Sequence, residues 1–557
     1  MKKFLLFLFV VLTIMVLAAC TANEGAGEET ENDSEGDSTA EETEDNGEDV
    51  TEEQDGDNIL RLNNGEEPTS FNPPIGFDEN SWLPLNNLME GLTRLGEDHT
   101  PEAAMAEDWD VSDDGTVYTF YLREDANWSN GDPVVADDFV FAWQQLLDPE
   151  TGSPAAFLAY FVENGEDFNS GEASAEDVGV TAVDDKTFEV VLEDPTGFFL
   201  HVITNPAFFP INEQVAEENP DWHAEAESFV SNGPFMLESW DHDSEMVFAK
   251  NDTYWDADTV SLDGVHWSMV NDTNTQYQMF ETNELDVASI PAEMSDDLID
   301  GDNVAIDEMG GLEFFRFNVE EEPFQNEKIR KAFALAVDRQ DIADYVVKNE
   351  VEPAYGFVSP GFTNPSGEDF RDRNGDLVAT NPEEATELLE EGMEEEGYAE
   401  LPAVTLSYNT SDLNKSIAET MQSMLSENLG IDVTLENTEW NVFLEDQQNL
   451  EHQFSRSSFL FDYGDPVNFL ESFITDSSMN RTDWSNEEYD QLIADVKAEA
   501  DEDQRWELMY EAEELLAEEM PILPLRYYNQ VFIEADGVTG ILRHPVGYAD
   551  LKYAEKE

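Results

Sequence analysis

The chain has 557 residues with 129 Asp and Glu against 24 Lys and Arg, a formal net charge of −105, and that balance argues against nucleic acid, whose phosphates call for basic patches. One cysteine excludes an intramolecular disulfide and a cysteine-rich metal cluster, while 40% hydrophobic and 11% aromatic residues can fill large cores in about three to four domain-sized units. Such self-repulsion opposes a compact state at low ionic strength, and screening shortens to roughly 3 Å at 1 M salt, so the surface suits brine or a strongly alkaline medium; capture of basic partners is the alternative.

Met1, Lys2 and Lys3 followed by the apolar run 4–17 form a charged n-region and a core short for a transmembrane helix. Leu17-Ala18-Ala19-Cys20 resembles a lipobox, which implies a lipoprotein signal peptide over 1–19, acylation of Cys20 and anchoring to the outer face of the cell membrane. An uncleaved membrane anchor is the alternative. Residues 20–57 are Glu, Asp, Gly, Ser, Thr and Asn with almost no large apolar side chain; they cannot offset the entropy of ordering and are read as a disordered acidic tether.

The folded part opens with a strand over 59–62 and a rigid Pro-rich loop over 68–74. Leu85, Leu88, Met89 and Leu92 predict a helix over 83–95. Strands follow over 118–122 and 188–192, with a helix ending near Leu147 whose positive N-terminus suits Asp137 and Asp138. The apolar stretch 198–209 packs two elements together. A strand over 265–270, a helix over 274–284 and a short strand at 285–287 come next, and at Gly310-Gly311 the pattern restarts with a buried strand over 314–318. Helices are predicted over 328–337 and 383–396.

Val404, Leu406 and Tyr408 alternate as a strand, a polar turn spans 409–412, and Ile417, Met421, Met424, Leu425 and Leu429 share one helical face that Gly430 ends. Ile431, Val433 and Leu435 alternate again. Strand, helix and strand imply a parallel pair with a right-handed crossover, and ligands in such sheets sit beyond the carboxyl ends of the strands. The turn at 409–415 is therefore a site candidate whose helix N-terminus favours a carboxylate. A further strand over 454–460 is broken by Asp462-Tyr463-Gly464-Asp465-Pro466, leaving Asp462 at a strand end where its carboxylate can meet a cation. Helices over 487–496 and 504–518 and a strand through Leu523, Leu525 and Tyr527 close the chain. Two blocks of alternating strands and helices, split near Gly311, point to two α/β lobes.

No His-Glu-x-x-His, nucleophile elbow, P-loop or dinucleotide fingerprint occurs, and the seven histidines lack metal-ligand spacing. Carboxylates are too abundant for a glycosidase pair to be read. The chain is thus expected to be no enzyme and to carry no cofactor or metal.

Residues 408–414 (Tyr-Asn-Thr-Ser-Asp-Leu-Asn), Glu439-Trp440, and Arg456 followed by Phe459, Asp462-Tyr463 and Pro466 resemble the oligopeptide-binding proteins of ABC importers, the family 5 extracellular solute-binding proteins. Residues 128–133 (Trp-Ser-Asn-Gly-Asp-Pro) through Trp143, 231–234 (Ser-Asn-Gly-Pro), 251–255 (Asn-Asp-Thr-Tyr-Trp), 324–339 and 353–356 (Pro-Ala-Tyr-Gly) are similar to the same family in the same order. The resemblance runs from about Ile59 to the C-terminus. It implies a two-lobed α/β fold, periplasmic-binding-protein-like and of class II type. Lobe I would take 58–92, 215–311 and 529–557, an extra domain on it 93–214, and lobe II 312–528.

By that resemblance Asp462 meets the α-amino group of a bound peptide; a turn-capping aspartate is the alternative. Arg456 would serve peptide carboxylates, against a structural salt bridge as the bland reading. Asn414 stands where the family can carry a histidine for the C-terminal carboxylate, a departure that leaves peptide length open, with Lys415 or the helix N-terminus as substitutes. Trp440 and Phe459 align with side-chain pocket positions, core packing being the alternative, and Glu79, Phe157, Tyr160 and Tyr527 fall near ligand-facing positions. The implied protein is a monomeric, lipid-anchored receptor that captures short peptides between its lobes for the permease subunits of an ABC importer. The alternatives are another solute on the same scaffold (a dipeptide, a nickel chelate, an oligosaccharide), a hydrolase using cleft carboxylates, or a surface protein of adhesion or signalling.

The charge yields a first test: circular dichroism during dilution from molar to millimolar salt is expected to show progressive unfolding, and full stability at low salt would refute the high-salt reading.

Overall fold

The computed structural model describes residues 58–556 except Asp476, Ser478 and Ala500. The expectations for the signal peptide, Cys20 and the tether lie outside these residues. Among the described residues no helix is long and apolar enough to cross a membrane.

Three main sheets carry the fold. Ile59–Asn63 pairs in parallel with Gly264–Ser268, which continues antiparallel to Glu245–Lys250 and Phe235–Asp241. An antiparallel sheet of Ala106–Val111, Val117–Leu122, Thr187–Val191 and Val180–Asp184 is covered by the helix Ala136–Leu147, whose Phe139 and Trp143 pack on Phe188 at ring distances of 5.8 and 5.1 Å. The third sheet has six strands in the order Val287–Ser289, Ile522–Glu534, Val304–Phe317, Phe454–Leu460, Val404–Asn409 and Val433–Thr438.

Val304–Phe317 and Ile522–Glu534 are the long members, paired antiparallel from Val304↔Ile533 to Arg316↔Ile522 with register shifts at Met309/Leu312 and Glu313/Phe314. Such irregularities bend a strand and sharpen its twist. One end of this ribbon holds Val287–Ser289 and the other holds Phe454–Leu460, so the same two strands run through both halves of the molecule. The pattern restart at Gly310-Gly311 is therefore not a break in the strand. The strand passes through it, half-exposed before Gly310 and buried on both faces after it, and that change of environment is what the sequence displays. Glycine is needed there because a Cβ on Gly311 would lie 2.7 Å from Leu460 Cδ2 and 2.9 Å from the Phe459 carbonyl oxygen.

The strand–helix–strand unit forms as its periodicities predict. Val404–Asn409 pairs in parallel with Val433–Thr438, and the helix Asp412–Leu429 between them buries Ile417, Met421 and Leu425. Gly430 ends it at φ 68°, its N–H returning to the carbonyls of Leu425 and Ser426. The helix expected over 83–95 instead runs over Glu79–Leu88, with Asp78 as its N-cap. Asn232 explains the early stop: its side chain accepts the Glu90 N–H (3.1 Å) and donates to the Glu90 carbonyl (2.8 Å), drawing the backbone out of the helix.

The last segment folds back onto the start of the described chain. Asn87 donates to the Ala549 carbonyl and accepts the Leu551 N–H, Arg94 bonds Asp550, and Lys556 Nζ reaches Asp286 and the Ile59 carbonyl.

Gly311→Val is expected to lower stability by about 1–3 kcal/mol in denaturant unfolding, through overpacking against backbone as well as side chain.

Candidate functional site

A cleft of about 1010 Å³ lies beside the two long strands. Asn64, Glu79 and Asn80 line it from the first part of the chain, Ser458 and Leu460 from the strand Phe454–Leu460, and Tyr528 and Gln530 from the second long strand. Alternation explains which side chains arrive. Arg456, Ser458 and Leu460 are partly exposed, while Ser457 and Phe459 between them are buried on the opposite face.

Asp462 follows this strand. Its N–H donates to Asn468 Oδ1 (2.9 Å) and its carbonyl accepts from Asn205 Nδ2 (3.1 Å). Burial pushes its carboxyl up to about 7, with the Glu471 charge adding and a hydrogen bond from Asn468 opposing. Among the described residues no Lys or Arg forms an ion pair with it. The turn-capping role falls instead to Asp465, which accepts the Val467 N–H (3.0 Å) and pairs with Arg505 at 2.6 Å. Asp462 is thus a desolvated acid whose charged form an arriving cation would stabilise.

Arg456 donates to Glu313 Oε1 (2.8 Å), Asn409 Oδ1 (3.4 Å) and the Tyr528 hydroxyl (3.1 Å). Glu313 is fully buried and also takes Arg526 at 2.5 Å. Burial pushes the Glu313 carboxyl up, but Arg526 and Arg456 outweigh it and hold the group below the usual carboxylate range. Asn414, in the first turn of its helix, donates to Asn409 Oδ1 (3.0 Å) and accepts nothing from Arg456 directly. The structure therefore brings Arg456 and Asn414 to one shared partner, Asn409.

The other expected residues divide. Glu79 opens its helix within the cleft, 3.5 Å from Gln530 Nε2, its carboxyl raised by desolvation and by Asp78. Phe157 is exposed and meets Phe77 edge-on at 5.9 Å. Tyr160 donates to Asn169 Oδ1 at 2.7 Å. Trp440 is exposed at the start of the helix Trp440–Gln448 and stacks on Phe443. Phe459 sits in the core, edge-on to Phe461 and Phe469 at 5.6 and 5.2 Å. Tyr527 is also buried, its hydroxyl accepting the Gly356 N–H at 3.1 Å. The neighbouring Tyr528 lines the cleft instead. Two adjacent tyrosines hide the phase of a strand, and the cleft-lining Tyr528 and Gln530 were reachable only by counting in twos from the correct one.

A sequence model of the bacterial extracellular solute-binding proteins, family 5 (middle region), matches residues 100–481. The dipeptide-binding protein DppE of Bacillus subtilis (strain 168) is 57% identical over 540 residues, covering 97% of this chain and 96% of that protein. The oligopeptide-binding protein OppA of the same organism is 36% identical over 509 residues, 89% of this chain and 92% of that protein. Among solved structures, Listeria monocytogenes OppA bound to peptide superimposes with a TM-score of 0.73 at 32% identity, covering 90% of this chain and 99% of that one.

The raised Asp462 carboxyl sets the sign of a stability effect. Below about pH 4 the group is protonated in folded and unfolded chains alike. Between about pH 4 and about pH 7 the unfolded chain has given up this proton while the folded chain keeps it, so the stability held at low pH is lost across that window. Ligand-free Asp462→Asn is therefore expected to melt higher than the parent at pH 8 and alike at pH 4, as scanning calorimetry would read.

Proposed function

The chain belongs to family 5 of the bacterial extracellular solute-binding proteins, and from that premise we propose that its cleft holds a short peptide by the α-amino group at Asp462 and by main-chain bonds along the strand ending at Leu460. It is a peptide-binding component of an ABC importer, a binding protein and not an enzyme. The observation that carries the amine site is the half-buried, desolvated Asp462 carboxyl, without an ion-pair partner among the described residues, just after a strand whose Ser458 and Leu460 line the cleft. Strand addition to a sheet supplies affinity through backbone groups common to all peptides, and side-chain pockets then set preference.

The carboxyl end of the peptide would lie toward Arg456, Asn409 and the first turn of the Asp412–Leu429 helix. Glu313 carries one negative charge between Arg456 and Arg526, so the cluster keeps an excess positive charge. That excess, and the hydrogen bond from Arg456 to the cleft-lining Tyr528, support a carboxylate nearby. Closure would occur about the two long strands, with 58–92, 215–311 and 529–557 as the first lobe, 93–214 as a domain on it and 312–528 as the second. The bonds of the last segment to Asn87 and Ile59 support placing it in the first lobe. The body would act outside the cell membrane as a monomer, anchored through lipid on Cys20 and suited by its acidic surface to high salt.

Calorimetric titration at high salt with tri- to pentapeptides and their N-acetylated twins tests this. Free peptides are expected to bind and their acetylated twins not, and Asp462→Asn is expected to weaken the free peptides ~100-fold or more, since breaking a buried charge pair costs about 3–5 kcal/mol. Equal binding of free and acetylated peptides would remove the amine site.

A further inference from the structure

The peptide group of Asp462 is gripped from two directions. Asn468, in its own turn, takes the N–H, whereas the carbonyl is held by Asn205, 257 residues earlier in the chain. Asn205 is fully buried, and its Oδ1 accepts the Ala207 N–H at 3.0 Å as cap of the short helix Pro206–Phe208. With the oxygen committed, the amide nitrogen is the group left to face Asp462.

The contact continues along the turn. The Tyr463 ring lies flat on Phe198, with centroids 5.5 Å apart and planes 5° from parallel, and its hydroxyl donates to Glu471 Oε1 at 2.8 Å. A Cβ on Gly464 would lie 3.1 Å from His201 Nδ1. Asp465 pairs with Arg505, whose guanidinium lies 5.7 Å from the Phe198 ring. Residues 462–464 are thus each met by the segment 198–205, and Asp465 by the arginine beside it. The carbonyl of Asp462 is the point at which this contact reaches the backbone of the acid itself.

We propose that Asn205 is a positioning residue for the amine site: by holding the Asp462 carbonyl it sets the direction of the carboxylate, so the first part of the chain contributes to amine recognition without touching the peptide. This rests on Asp462 as the amine-binding group. An acid already aimed spends less binding free energy on ordering than one that must be oriented by the ligand, and a small rotation of the peptide plane is enough to misplace a carboxylate relative to a fixed ammonium.

The test is Asn205→Ser in the intact chain at high salt. Serine keeps a hydroxyl able to cap the Ala207 N–H and removes the amide donor. The readout is the ratio of affinities for a free tripeptide and its N-acetylated twin, measured by calorimetry beside thermal unfolding. The parent is expected to discriminate strongly, and N205S to lose about fivefold of that ratio, the worth of one net hydrogen bond. A merely structural role would lower the melting temperature and leave the ratio unchanged, and that result overturns the inference while the amine site stands. A parent that fails to discriminate overturns both. Should N205S not fold, Phe198→Leu, which loosens the surface behind Tyr463 and leaves the cap alone, reads the same ratio, with the same loss expected and an unchanged ratio counting against.

Discussion

Glu313 ties the centre of the molecule together. It lies on the first long strand, receives Arg526 from the second and Arg456 from Phe454–Leu460, and is fully buried. A buried carboxylate is tolerated only when paired and hydrogen-bonded. Here the pairing is doubled, which holds the acid ionised and fixes three neighbouring strands against one another. Because both guanidiniums are on strands that border the cleft, the same cluster leaves a local positive excess in a chain of net charge −105.

The disposition of the other cations follows the same logic. Arg505 and Asp465 are 2% and 3% exposed, Arg371 meets a fully buried Glu513, and Asp286 is buried where it meets Arg61 and Lys556. With 24 basic residues to 129 acids, many of the arginines answer buried carboxylates, where an unpaired charge is most costly, and the surface carries an excess of acid that water and salt can screen. Asp462 departs from this rule. Asp138 does so too, but its carboxylate accepts from Trp128 Nε1 and the N–H groups of Val135 and Glu213, whereas the Asp462 carboxyl is desolvated with neither an arginine nor such a set of donors among the described residues.

Much of the central unit was legible in the sequence. The strand, helix and strand between Val404 and Thr438 came out within a few residues of their periodicities, because alternation, a helical face and a left-handed glycine cap are local properties. Asp462 at a strand end was legible for the same reason, as was Arg456 inside a strand. The helix that ends at Leu88 was not, since the group that ends it, Asn232, is far away in sequence. Nor was the phase of Tyr527 and Tyr528, where two like residues in succession leave both faces of a strand equally plausible.

By itself the sequence determined which segments are strands and helices over most of the chain, that the surface is acidic, and which residue types stand ready at the turn after Leu460. Only the tertiary structure decided that Val304–Phe317 runs unbroken through Gly310-Gly311, that Arg456 is shared with Glu313, and that Asn205 reaches the carbonyl of Asp462. The division has one cause. Periodicity and caps are set by residues a few positions apart, whereas pairing of buried charges and register across a sheet depend on residues that meet only after the chain has folded.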